Sequence, residues 1–99
     1  MPGKRLEYAL RARRDLEAIE QYYLEVAGDV VADRIIDAIL SQAKKIAALG
    51  LVFRPGIRQG TRECVMTGYP YTLVYRIGSR RVEIARIIHQ RAEYFQRGR

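Results

Sequence analysis

Ninety-nine residues, 48% hydrophobic and 29% charged, make a single domain over residues 1–99 and exclude a disordered chain. One cysteine, Cys64, and one histidine, His89, exclude an internal disulfide and a zinc site of the usual kind, and no paired carboxylates suggest another metal, so no cofactor is expected. The net charge of +7 lies wholly in residues 51–99, with ten Arg, no Lys and three Glu, because residues 1–50 balance eight cations against eight acids. No apolar run approaches the roughly 20 residues that span a bilayer, and the N-terminus lacks a signal-peptide pattern. The expected location is therefore cytoplasmic, with no membrane partner.

In chain order, Leu6, Tyr8 and Leu10 alternate with Glu7 and Ala9, a period of two that predicts a first strand. From about Arg11 the period lengthens. Leu16, Ile19, Tyr23 and Val26 mark one face of an amphipathic helix, with Gly28 as its stop and Asp29 as the cap of the next. That second helix runs from Val30 to Leu49 with two apolar stripes: Val31, Ile35, Ile39, Gln42 and Ile46, and beside it Ala32, Ile36, Leu40, Ala43 and Ala47. The first stripe is expected to meet the sheet. The second meets the first helix or stays open for a partner. The short connection predicts an antiparallel hairpin.

The segment LGLVFRPGIRQGTRE reads as an extended loop, punctuated by Gly50, Pro55, Gly56 and Gly60. Three strand-like runs follow: RECVMT, then YTLVYRI after a Tyr-Pro turn, then RRVEIARII. Gly78-Ser79 fits a two-residue type II′ hairpin turn. Arg86 breaks the alternation of the last run, as a bulge or a wet cleft would. The predicted class is α+β: a strand, a helical hairpin on one face of a sheet, and a three-stranded antiparallel meander. Tyr71 and Tyr75 are expected in the core with a wet hydroxyl, while Tyr94 and Phe95 are freer, either docking on a target or closing the sheet edge.

The C-terminal segment RPGIRQGTRECVMTGYPYTLVYRIGSRRVEIARIIHQR, with Gly60-Thr61-Arg62-Glu63 and the closing VEIARIIHQR, resembles the ParE/RelE toxin superfamily of bacterial type II toxin–antitoxin modules. The helical segment RRDLEAIEQYYLEVAGDVVADRIIDAIL is similar to that superfamily's N-terminal half, so the resemblance covers nearly the whole chain. It implies a toxin silenced by a cognate ParD-like antitoxin, whose DNA-binding N-terminus precedes an amphipathic segment that wraps the toxin in a hetero-oligomer. The RelE-like branch implies a ribosome-dependent mRNA endonuclease; the ParE-like branch implies a protein that poisons DNA gyrase without hydrolytic chemistry.

Metal-free RNA cleavage needs a base, an acid and cations around the phosphate. His89, Glu63 and Arg62 are the candidates, His89 falling where histidine-using relatives carry a catalytic histidine near the end of the last strand. Against this, those relatives carry a mid-strand arginine where this chain has Tyr71-Thr72, and the lysines of lysine-dependent relatives are missing from residues 51–99. A histidine at a strand end also serves as a local cap or an aromatic neighbour. The favoured expectation is an inhibitor of gyrase that acts by binding, touching its target through Arg86, Arg91, Tyr94 and Phe95. Alternatives are the mRNA endonuclease and an inactive antitoxin-binding module. For the antitoxin, Tyr22, Ile36 and Leu40 are the expected apolar contacts and Arg58, Arg62 and Arg76 the expected partners of its acids, with strand addition at a sheet edge as a second mode.

Overall fold

In the computed structural model, which describes residues 3–91, the change of period near residue 10 marks the passage from a strand, β1 (Arg5–Tyr8), to a helix, α1 (Leu10–Val26). Ala12 and Ile19 are buried on the predicted stripe, Leu16 and Tyr23 half-buried, and Val26 exposed where the stripe outruns its cover. Gly28 stops the helix at φ 90°, its N–H and that of Ala27 both donating to Tyr23 O at 3.0 and 2.9 Å. The same glycine is the N-cap of α2 (Asp29–Leu49). Asp29 therefore sits one residue inside the helix, in the first turn, and caps nothing with its side chain. Both stripes of α2 are used: Ile35, Ile39 and Ile46 are buried, as are Ala32, Ala43 and Ala47, while Ile36 and Leu40 stay half-buried.

The two helices differ in how they carry charge. α2 has Asp29 and Asp33 near its N-terminus and Lys44 and Lys45 toward its C-terminus, in accord with its dipole. α1 is reversed, with Arg11, Arg13 and Arg14 near its N-terminus and Glu20 and Glu25 near its C-terminus. A charge of the wrong sign near a helix end costs about 0.3–1 kcal/mol.

The meander is present as β3 (Arg62–Val65), β4 (Tyr71–Ile77) and β5 (Arg81–His89), but it is part of a five-stranded mixed sheet of order β1-β5-β4-β3-β2. β1 lies parallel to β5, with Arg5 opposite Arg81 and Tyr8 opposite Ile84. The added strand β2 (Arg54–Pro55) is only two residues long, pairs with Glu63 and Arg62, and hides within a segment rich in Gly and Pro. Gly3 is required where the chain passes α2, since a Cβ there would lie 2.5 Å from Ala48 Cα.

Two connections depart from expectation. The β4–β5 turn spans three residues, Gly78 to Arg80, and Gly78 is not among the positive-φ glycines, so it is not a type II′ turn. The physical reason is β1: Arg80 O accepts from Arg5 N–H at 2.9 Å, which ties Arg80 to the neighbouring strand. Within β5, Val74 faces Arg86 while Tyr75 faces Ile84, leaving Ala85 as a bulge. The extra residue lets Val82, Ile84 and Ile87 all bury against the helices and turns Arg86 to the other face. Tyr71, Leu73 and Tyr75 of β4 complete that core. The Tyr75 hydroxyl is dry rather than wet: it donates to Leu51 O at 2.8 Å and accepts from Phe53 N–H at 3.0 Å, pinning the chain between α2 and β2.

Candidate functional site

Residues paired across neighbouring strands share a face of the sheet, so the register places each candidate. His89 ends β5 opposite Tyr71, on the helix-covered face, with ring centroids 5.5 Å apart in an edge-to-face contact. Its Nδ1 accepts from Arg91 N–H at 3.0 Å. Glu63 lies opposite Val74 on the other face and is 3% exposed. Its Oε1 accepts from Arg54 Nε at 3.0 Å and its Oε2 from Ile57 N–H at 3.2 Å, so the carboxylate binds the loop between β2 and β3. Arg62 lies opposite Tyr75, on the face away from Glu63, and donates from Nη1 to Phe53 O at 3.3 Å. His89 and Arg62 thus stand at β4 positions four residues apart, about 13 Å at the usual strand rise. The sheet separates these three side chains by distance and by face; it does not gather them around one phosphate.

Arg86 is held within the fold. Its Nε and Nη2 donate to the two Asp15 oxygens at 2.8 and 3.2 Å, and Asp15 Oδ2 also accepts from Ile87 N–H at 2.8 Å. The hydrogen bond to Asp15 raises the Arg86 pKa above its ordinary value, against a smaller opposing effect of burial. Asp15 acts where β1 has ended, so α1 closes the edge of β5 with a carboxylate. Gln90 is a second hidden clamp: its amide reaches Met66 O, Tyr69 O and Tyr71 O at 3.1–3.3 Å and fastens the β3–β4 turn. Neither role is legible in the sequence, because both partners lie far along the chain. Arg91 is exposed, and Tyr94 and Phe95 lie outside the described residues.

The residues expected to meet an antitoxin occupy more than one surface. Tyr22, 56% exposed, borders an open hollow of ≈ 250 Å³ with Ala18, Tyr71, Ile87 and His89. Arg76 is exposed on the helix-free face and pairs with Glu83 at 3.7 Å. Arg58 is exposed at the tip of the β2–β3 loop. A further feature is the outer edge of β3. β2 covers only Arg62 and Glu63, so Cys64 and Val65, paired with β4 on the inner side, have no described strand on the outer side. Met66 N–H turns inward to Tyr71 O at 3.0 Å, and the alternation of the strand leaves Val65 N–H and C=O facing outward. That edge borders a groove of ≈ 380 Å³ walled by Ala38, Ser41, Gln42 and Lys45 of α2, with Phe53 at its end. Cys64 at its base accepts from Gln42 Nε2 at 3.4 Å, and burial pushes its thiol up, away from the reactive thiolate. Among the described residues, no group of three or more His, Cys, Asp or Glu is placed to hold a metal.

The family model described as "ParE toxin of type II toxin-antitoxin system, parDE" matches residues 6–94. The chain belongs to the ParE toxin family. It is 35% identical over 96 residues to a toxin candidate, Y4kP, of Sinorhizobium fredii (strain NBRC 101917 / NGR234), covering 97% of this chain and 98% of that one. Toxin RelE3 of Caulobacter vibrioides (strain ATCC 19089 / CIP 103742 / CB 15) is 39% identical over 88 residues, 87% of this chain and 94% of that one. Among solved structures, a chain of the chromosomal ParDE toxin–antitoxin system of P. aeruginosa superposes with a TM-score of 0.79 at 25% identity, covering 87% of this chain and 95% of that one. The two-helix, mixed-sheet architecture is thus that of a ParE/RelE toxin, and the resemblance legible in the C-terminal strands is a family relationship.

Proposed function

We propose that this ParE-family toxin acts by binding, inhibits DNA gyrase, and is neutralised by a cognate antitoxin in a hetero-oligomer. The observation that carries the binding mode is the dispersal of His89, Glu63 and Arg62 over two faces, with Glu63 engaged by the β2–β3 loop and His89 Nδ1 by Arg91 N–H. Gyrase as the target rests on the ParE-family match and on the ParDE neighbour. Arg91, Tyr94 and Phe95 supply the target contact, and Arg86 supports it from below through its brace to Asp15. The antitoxin lays an extended stretch along the β3 edge, beside an apolar stretch over Ile36, Leu40 and Tyr22, with its acids near Arg58, Arg62 and Arg76.

A second reading has its own support, since Toxin RelE3 of Caulobacter vibrioides is 39% identical to this chain over 88 residues. It makes the toxin a ribosome-dependent mRNA endonuclease using His89, Glu63 and Arg62. Purified toxin is therefore assayed side by side with gyrase on supercoiled plasmid and with programmed ribosomes. Inhibited supercoiling or trapped cleavage, with intact message, supports the first reading. Cleaved message that becomes intact with His89→Ala establishes the second. Unimpaired growth on expression without antitoxin points to the inactive module instead.

A further inference from the structure

The even charge balance of residues 1–50 hides a separation. Segment 15–37, the second half of α1 through the first half of α2, carries seven carboxylates against one cation, Arg34, a net −6 in a chain of net +7. Glu17, Glu20, Glu25, Asp29, Asp33 and Asp37 are all exposed, and none forms an ion pair among the described residues. At the tip of the same hairpin Leu24, Val26 and Val30 are 42%, 60% and 65% exposed. The far end of α2 is basic: Lys44 and Lys45 lie in its last turns, and Lys4 N–H bonds Ala47 O at 3.1 Å while Lys4 Nζ reaches Gly78 O beside Arg80 and Arg81.

Helix stability accounts for only part of this arrangement, since Asp29 and Asp33 suit the α2 dipole but the acids of α1 do not suit its own. The charges of α1 oppose its dipole. Asp29, Asp33 and Asp37 repeat at i, i+4 along α2, which sets like charges beside one another. The first weakens α1; the second takes back part of what Asp29 and Asp33 contribute at the N-terminus of α2. Because the helices run antiparallel, the two together concentrate negative charge at one pole of the molecule, around exposed aliphatic side chains.

We infer that this tip, from Leu24 to Val30 with its carboxylate rim, docks a cationic amphipathic segment of a partner protein. Lysines or arginines of the segment meet Glu25, Asp29 and Asp33, and its aliphatic side chains cover Leu24, Val26 and Val30. Phosphate-bearing partners are repelled here and drawn to the arginines of residues 51–99, as is any acidic antitoxin segment. The tip adjoins Tyr22 and Ile36 of the proposed antitoxin face without including them, and its occupancy does not depend on which target the toxin has.

The probe is a short amphipathic peptide of leucine and lysine, titrated into the full chain and followed by backbone amide NMR shifts. A matched leucine–glutamate peptide serves as the control. The expected shifts fall on Leu24–Val30 and Asp33, and binding weakens as salt rises. The double variant Glu20→Lys, Glu25→Lys loses about tenfold or more in affinity, while its melting temperature holds or rises, because charges that opposed the α1 dipole are removed. Val26→Ser with Val30→Ser, both at exposed positions, lowers affinity without unfolding the chain. Shifts elsewhere, equal binding of the glutamate peptide, or no binding at millimolar peptide would each overturn the inference. So would self-association in sedimentation that the double variant abolishes, since the occupant would then be a second copy of this chain.

Discussion

The sheet has two places where a strand runs out of neighbours, and the fold treats them in opposite ways. Beyond Ile84, β5 has lost β1, and α1 lays Asp15 over the exposed backbone, taking Ile87 N–H and the Arg86 fork together. Beyond Glu63, β3 has lost β2, and nothing in the described chain replaces it; Val65 is 43% exposed beside the groove along α2. Unpaired edges invite pairing with other chains, and proteins usually block them. One edge here is sealed at the cost of burying a charge pair. The other is left open, next to apolar side chains, where a partner strand has room.

The largest expected effect comes from unsealing the first edge. Asp15→Ala removes three accepted hydrogen bonds and leaves a half-buried guanidinium without its carboxylate, a loss of about 2–4 kcal/mol. Chemical denaturation with urea measures it, and a loss below that of an ordinary surface substitution would show that the seal contributes little. Asp15→Asn keeps an acceptor for Ile87 N–H and is expected to lose less. The Arg86 side of the pair adds no pH dependence at moderate pH. A raised guanidinium pKa gives stability that is complete below the ordinary arginine value and is lost only as pH climbs through the still higher folded value.

Next in size is a block of the open edge. Val65→Pro removes an outward N–H that no strand uses, so the free toxin is expected to lose under about 1 kcal/mol, as edge prolines are tolerated. Antitoxin affinity is expected to fall by about tenfold or more, because the proline can neither donate to an added strand nor admit one closely. Calorimetry of toxin with its cognate antitoxin reads both quantities. Undiminished affinity would move the antitoxin off this edge and onto the helices.

Tyr75→Phe tests what limits the open edge. The hydroxyl ties Leu51 O and Phe53 N–H, and thereby holds the chain that delivers β2 to β3. Its removal is expected to cost about 1–2 kcal/mol and to hasten hydrogen exchange in Arg62 and Glu63. Burial also raises the Tyr75 and Tyr71 phenols above their ordinary 10.0. A raised folded pKa means full stability below pH 10 and loss as pH rises beyond it through the folded values, so alkaline unfolding is expected to be later in Tyr75→Phe than in a variant destabilised equally elsewhere.

The helices, the meander and the buried faces of Ile35, Ile39, Leu73 and Tyr75 are legible in the sequence because local periodicity and burial agree there. The edges are not. β2 is two residues long and contains a proline; the parallel pairing of β1 depends on where the helical hairpin returns the chain; and Asp15 and Gln90 act on residues 72 and 24 positions away or nearly so. The Gly78-Ser79 turn departs from a two-residue hairpin for the same reason, since Arg80 is committed to β1, a strand that a hairpin pattern does not contain. Arg62, Glu63 and His89 look like a set only in one dimension. Alternation sends neighbours Arg62 and Glu63 to opposite faces, and the antiparallel register carries His89 to the far end of β4.

The smallest expected effect is at His89, the last residue of the sealed strand. His89→Ala removes an acceptor from an exposed Arg91 N–H and one edge contact with Tyr71, together worth about 0.5–1 kcal/mol. Stability alone would make the substitution dull, and that is its use. A toxin that works by binding keeps its growth arrest when His89 becomes alanine, because the interacting side chains and both edges are intact. A toxin that cleaves message loses its arrest while its melting curve barely moves. Growth on expression of His89→Ala, read beside the denaturation curve of the same variant, separates a proton-transferring imidazole from one that merely finishes a strand.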